Sequence, residues 1–329
     1  MKANSLIYGS LAFALMGASA CKNSDMTFPD YEGGTTVYFA YQTPVRTIVL
    51  GEDVYNTDND NAHRCAIYSV SGGTYDGISA TVNFEVDESL VKDCYFDEAM
   101  TKPVLAMPTN YYHLEGSELK YSGSHNAHVD VQLTDEFFAD PKSVENTYVI
   151  PLKMTSLTGA DRINPEKAYV LYLVKYINKY SAIYLRRGVD VITDGENTFV
   201  NVRHKGVEND EVFKTKTTSL NTLTCTIPVL NLEGNEMYDM NNKPVTCDIE
   251  LTFDENGECT ITSLTKDITV NGTGHYGEKT EKLAWGNKDR DGLYLDYTLQ
   301  VGNYTKMAVK DTLVLQTRGV SKENFNIYY

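Results

Sequence analysis

Short apolar–polar alternations, separated by polar turns and with no long amphipathic helix between them, constrain this chain more than any other feature. In Ser79 to Val86, the residues Val82, Phe84 and Val86 fall on one face; in Ala127 to Leu133, Val129, Val131 and Leu133 do the same. A period of two is that of a half-buried strand. Thr36 to Tyr41, Val45 to Leu50 and Thr147 to Thr155 read as further strands. Tyr169 to Ile177 is apolar on both faces and reads as a central strand. Two helical turns interrupt them, with Asp87 placed to cap Glu88 to Val91 and Thr134 placed ahead of Asp135 to Phe138.

A second run comprises Val200 to Arg203, Leu220 to Val229, Val245 to Phe253, Cys259 to Leu264, Ile268 to Thr273, Leu293 to Leu299 and Thr312 to Gln316. Tight turns such as Asn256-Gly257 and Asp291-Gly292 join them, so neighbours should pair in sequence as a meander. With 329 residues the chain is long enough for two domains. The expectation is an all-β protein of two antiparallel domains. Residues 35–180 would form an immunoglobulin-like sandwich, and residues 181–329 a meander sandwich or small barrel. Arg186-Arg187, near the boundary, reads as an interdomain contact or a solvated turn.

The start of the chain has its own logic. Lys2, an apolar stretch from Leu6 to Met16, and the small residues Gly17-Ala18-Ser19-Ala20 describe a secretory signal over residues 1–20. Cys21 follows, and the segment resembles a bacterial lipobox, in which that cysteine is lipidated; Ala18 stands where the motif usually has Leu. Residues 21–34, polar with Pro29 and two glycines, read as a tether. Several acyl chains at about 0.8 kcal/mol per buried CH₂ would anchor the protein stably to a membrane. Charge would not, because 45 Asp and Glu against 29 Lys and Arg give a net charge of −16. The same surplus argues against nucleic acid as a partner.

Beyond Cys21, five cysteines remain: Cys65, Cys94, Cys225, Cys247 and Cys259. Their odd number and lack of CxxC spacing favour small buried thiols over zinc, with a disulfide such as Cys65 to Cys94 as the minority alternative. If Asn256-Gly257 is a two-residue turn, Cys259 lies opposite Asp254 and out of reach of Cys247.

Several blocks, in order, carry a family resemblance. They include Val86-Asp87-Glu88-Ser89-Leu90-Val91, Leu133 to Pro141, Asn146 to Leu152, Thr158 to Asp161 and Val174 to Tyr180. Together they resemble an uncharacterised Bacteroidetes domain found at the N-terminus of surface lipoproteins of polysaccharide-utilisation loci, and ahead of some family-18 endoglycosidase domains. Trp285 to Arg290, Leu295 to Thr298 and Asp311 to Val314 resemble its C-terminal partner domain. The resemblance implies a lipid-anchored outer-membrane protein, facing outward, that works with glycan-uptake proteins.

No catalytic motif is present: neither the family-18 signature, nor a GxSxG elbow, nor an HExxH helix. The chain is therefore expected to be non-enzymatic, with no cofactor and no metal. Asp58 to Asn61 and Asp289 to Gly292 read as solvated turns, and His125 and His128 as surface or turn residues. Glycan binding would set flat rings against sugar faces beside hydrogen-bonding side chains. The candidates are Trp285 with Asn287, Lys288 and Arg290, then Tyr276, and then Tyr111 and Tyr112, of which one should be exposed on its strand. Docking of another outer-membrane protein is the competing reading.

Overall fold

The structure, a computed structural model, describes residues 29–52, 57–302 and 305–329; Cys21 and the signal segment lie outside the described residues. The first domain is a sandwich. One sheet runs in the order Arg162–Ile163, Thr36–Tyr38, Arg64–Gly72, Asn126–Leu133, Tyr112–Leu114. The other runs Glu323–Asn324, Pro44–Val49, Tyr169–Ile177, Tyr148–Thr158, Ile78–Val86, Glu118–Ser124. Val37, Ile67 and Val129 from the first sheet meet Ile48, Val82 and Val174 from the second in one core. Most pairs are antiparallel, but Pro44–Val49 lies parallel to Tyr169–Ile177. That central strand is covered on both faces, as its composition requires. Val174 and Tyr176 fill the sandwich, while Leu171 and Leu173 pack against Cys94 and Phe325.

Two departures from the expected strands shape one side of the sandwich. The first strand stops at Tyr38, because the Phe39 N–H turns to the Lys167 carbonyl at 3.0 Å and the chain crosses to the other sheet. The strand Arg64–Gly72, missing from the expectation, alternates weakly. Its inward residues are Cys65, Ile67, Ser69 and Ser71, and only Ile67 is a large aliphatic.

The second domain is one ten-stranded sheet curled round its own core. From Lys216–Thr217 to Thr305–Thr317 each strand pairs with the next. Thr305–Thr317 then pairs with the first strand of the domain, Ile183–Asp194, whose far edge carries Asn197–Arg203 and Glu211–Lys214. Glu211–Lys214 runs on through Thr215 into Lys216–Thr217, so one segment pairs with both ends of the sheet and closes the curl there. Beside it, no ladder among the described residues joins Asn197–Arg203 to residues 228–236, and there the curl has an open seam.

Asp291-Gly292 is not a turn but part of the strand Arg290–Val301. The Asp291 carboxylate is buried, taking the Tyr276 hydroxyl at 2.5 Å and the Lys279 N–H at 2.9 Å, which explains why this acid is not solvated, whereas Asp289 is exposed. In the next hairpin along, Phe253 rather than Asp254 faces Cys259. The loop is Glu255–Gly257, three residues ending on Gly257 in the left-handed region at φ 82°. All five described cysteines are free and buried. Cys65 and Cys94 belong to different clusters, and burial pushes the Cys65 and Cys259 thiols up to about 12.

Arg186 is not on a solvated turn. It points into the curled sheet and is 3% exposed. Its Nε and Nη2 grip Asp311 at 3.1 and 3.0 Å, while Arg203 grips Asp190 at 2.8 and 2.9 Å. Gly188 makes the cluster possible, since its neighbours across the ladders are Arg203 on one side and Asp311 on the other. With no side chain between them, Arg203 Nη2 reaches Asp311 at 2.5 Å. A Cβ at Gly188 would stand 2.0 Å from the Lys310 carbonyl oxygen. Burial opposes the Arg186 charge, but the Asp311 carboxylate outweighs it and holds the guanidinium ionised. Arg187 faces the other way and pairs with Asp210 at 2.9 Å.

The domains are tied by more than a linker. Asn178, fully buried, donates to the Ser219 and Thr222 carbonyls at 2.8 Å each and accepts from the Tyr180 and Ser181 N–H groups. Arg318 donates to the carbonyls of Lys179, Ser181 and Glu52 at 2.6, 3.2 and 3.3 Å. The tail then returns to the first domain, where Glu323–Asn324 adds to the edge of Pro44–Val49.

Candidate functional site

A groove of about 680 Å³ lies at the side of the sandwich. It exists because the chain leaves the first sheet at Phe39. Arg64–Gly72 is paired with Thr36–Tyr38 only over Val70, Ser71 and Gly72. The bonds Leu133 N–H to His63 O and Ser71 N–H to His125 O, both 2.8 Å, aim the odd-numbered residues at Asn126–Leu133. Antiparallel alternation then aims the backbone groups of Arg64, Ala66 and Tyr68 the other way, where no described strand takes them.

Two rings stand at this opening. Tyr41 is 65% exposed and Tyr68 is 60% exposed, and both line the groove. Tyr68 lies 5.3 Å from the His128 ring, centroid to centroid, on the neighbouring strand. Polar side chains converge beside them. Arg64 is steered by its Nε bond to Gln132 at 3.0 Å, Asp130 sits opposite Ala66, and the returning tail contributes Lys322 and Asn324. The inner wall includes Arg46, bonded to Asp60, whose second oxygen accepts the Val49 N–H at 2.9 Å. The Asp58 to Asn61 segment is therefore no solvated turn: it winds into the short helix Thr57–Asn61, and Asp60 is buried. Beside it, burial raises the Tyr172 hydroxyl well above its ordinary value, keeping it a neutral donor.

The residues singled out from sequence lie elsewhere. Trp285, Asn287, Lys288 and Arg290 do share one surface loop. However, Trp285 packs against Leu185, Ala284 and Val314, and the Arg290 guanidinium lies 5.0 Å from its ring centroid while bonding its carbonyl at 3.0 Å. The ring already has a stacking partner. Tyr276 is 5% exposed and edge-on to Tyr180, so it has no free face. Neither member of the Tyr111-Tyr112 pair is exposed: Tyr112 is in the sandwich core, and Tyr111 lies edge-on to Phe137 and Tyr148.

Tyr111 has a structural partner in Asp140. The Asp140 carboxylate accepts from Tyr148 at 2.6 Å, Tyr111 at 3.1 Å and the Lys142 N–H at 2.9 Å. Burial opposes its charge, but these hydrogen bonds prevail and hold its pKa below the ordinary value of 3.8. A depressed folded pKa contributes stability that is present above the unfolded value and lost as pH falls through the folded one. Asp140→Asn should therefore lower stability by about 1–2 kcal/mol at neutral pH. The gap to the parent should close below pH ~4. Urea midpoints of both proteins at neutral and acid pH check this, and a pH-independent gap would rule it out.

Tyr41, Tyr68 and Arg64 carried only a faint sequence signal. Cys65, Ile67 and Ser69 alternate with them, which places Tyr68 outward, but nothing local shows that the strand beside it ends early.

Comparison with known proteins fits two domains. A family described as a domain of unknown function, DUF5627, matches residues 179–319, and one described as an N-terminal domain matches residues 31–161. No curated protein matches the chain. A crystal structure of a Bacteroides ovatus protein of unknown function is 38% identical, with a TM-score of 0.79, and covers 91% of this chain and 99% of that one. A Bacteroides ovatus multidomain protein including DUF1735 is 12% identical over 85% of this chain, at a TM-score of 0.41. By its identity to the first of these two over nearly its whole length, the chain belongs to the same family as that Bacteroides ovatus protein: two β domains, the second a domain of unknown function.

Proposed function

We propose that this protein is a non-catalytic, cell-surface glycan-binding lipoprotein, and that the groove at the open side of the sandwich is where the glycan lies. One observation carries the reading: Tyr41 and Tyr68 stand exposed beside a strand edge whose backbone donors and acceptors no described strand takes. Pyranose C–H faces stack on such rings. Sugar hydroxyls both donate and accept, so they suit backbone N–H and C=O groups together with Arg64, Asp130 and Asn324. Affinity electrophoresis against a panel of host and plant polysaccharides tests it. Retardation by at least one neutral polysaccharide, without release of reducing ends, is the expected result; no retardation by any would end the reading.

The same edge supports a second reading, in which an extended segment of another outer-membrane protein adds as a strand. Pull-down from detergent-solubilised envelopes would then recover a stoichiometric protein in the absence of sugar.

The lipobox-like start supports a lipid anchor at Cys21, and the family resemblance of the two domains implies the outer membrane, facing outward. Cys21→Ser should shift the protein from the membrane fraction to the soluble one and abolish its labelling by radioactive palmitate. Unchanged membrane association and labelling would refute the anchor.

A further inference from the structure

We propose that the open seam of the C-terminal sheet is a second binding site, which takes a neutral hydroxylated ligand the size of a single sugar ring. It is independent of the groove, which lies in the other domain. The seam encloses a cavity of about 360 Å³, at the small end of the range for small-molecule sites. One wall carries Asn201, Arg203 and Glu211, and the other carries Asn235 and Glu236, so the cavity lies between the Asn197–Arg203 edge and the loop after Pro228, where no ladder among the described residues joins them.

The chemistry of the floor sets the ligand class. Arg186 and Arg203 are balanced by Asp190 and Asp311, which leaves no net charge there. Arg203 uses Nε and Nη2 on those two carboxylates, and its Nη1 is buried with no partner. An unpartnered buried charged donor is costly, so this nitrogen calls for an acceptor. Glu211 and Glu236 add negative charge to the cavity walls, which disfavours an anion, and an ammonium group offers Nη1 nothing to accept with. A hydroxyl answers both needs, accepting from Nη1 and donating to a carboxylate. Pro228, Leu230 and Met307 complete the cavity with an apolar wall suited to the C–H face of a ring.

Saturation-transfer NMR on the full mature chain tests the site, with methyl glycosides of glucose, galactose, mannose and N-acetylglucosamine as probes and glucuronate as the anionic control. Transfer to at least one neutral glycoside is expected, and it should persist in a Tyr41→Ala/Tyr68→Ala protein, which separates this site from the groove. It should fall at least about fivefold in Arg203→Lys, which keeps the charge but not the planar fork. Because Arg203→Lys could unfold the domain, Glu236→Ala provides the second arm: the residue is exposed, and its loss should weaken transfer while leaving the urea midpoint unchanged. Three outcomes would overturn the proposal: no transfer to any neutral glycoside, as for a cavity holding water alone; transfer unaffected by Glu236→Ala; or stronger transfer to glucuronate.

Discussion

Replacing Asp311 with alanine is expected to destabilise the C-terminal domain by about 3–5 kcal/mol, the cost of stripping one partner from a buried ion pair. Asp311 is 4% exposed and holds both Arg186 and Arg203. Without it, Arg186 keeps a Tyr297 hydroxyl at 3.3 Å, the Phe213 ring at 5.0 Å and a Glu211 carboxylate at 3.8 Å, the last half in solvent. Its charge stays buried, because nothing lets the strand Ile183–Asp194 turn that side chain outward without moving Tyr184 and Ile192 out of the core. Urea unfolding followed by tryptophan emission reads the effect directly, since Trp285 is the only tryptophan and packs in this domain. Glu211→Ala is the internal control, an exposed and distant pair expected to contribute less than about 1 kcal/mol. A loss under about 1 kcal/mol for Asp311→Ala would mean that the buried cluster is not a structural unit.

The contrast between this cluster and the strands around it shows what the sequence could reveal. Strand positions in the second domain follow from local alternation, so Val245 to Phe253 and Leu293 to Leu299 were legible within a residue or two at most ends. The acidic and basic residues were not, because charge alone does not tell burial. Arg186, Asp60 and Asp291 each sit beside other polar residues in the chain, yet each is buried by a partner between 14 and 125 residues away. The groove escaped for a related reason. An unpaired strand edge is a fact about which strand is missing beside it, and here it depends on Phe39 crossing to Lys167. Aromatic residues in loops looked like the better platforms, but Trp285 and Tyr276 are the ones that the fold covered, with Arg290 and Tyr180.

Tyr41→Ala/Tyr68→Ala should have the opposite profile to Asp311→Ala: a large effect on binding and almost none on stability. Both rings are mostly in solvent, so their removal leaves the sandwich core intact and costs little on folding. Each ring that stacks on a sugar face contributes on the order of 1 kcal/mol, so losing two should weaken binding by at least about tenfold.

Isothermal titration of the parent and the Tyr41→Ala/Tyr68→Ala protein with the polysaccharide that gives retardation is the most direct test of the central claim. Binding by the parent, with a loss of about tenfold or more in the double variant at an unchanged urea midpoint, is the result expected of a glycan groove at the open strand edge. Equal affinity of the two proteins would place the glycan elsewhere and contradict the account.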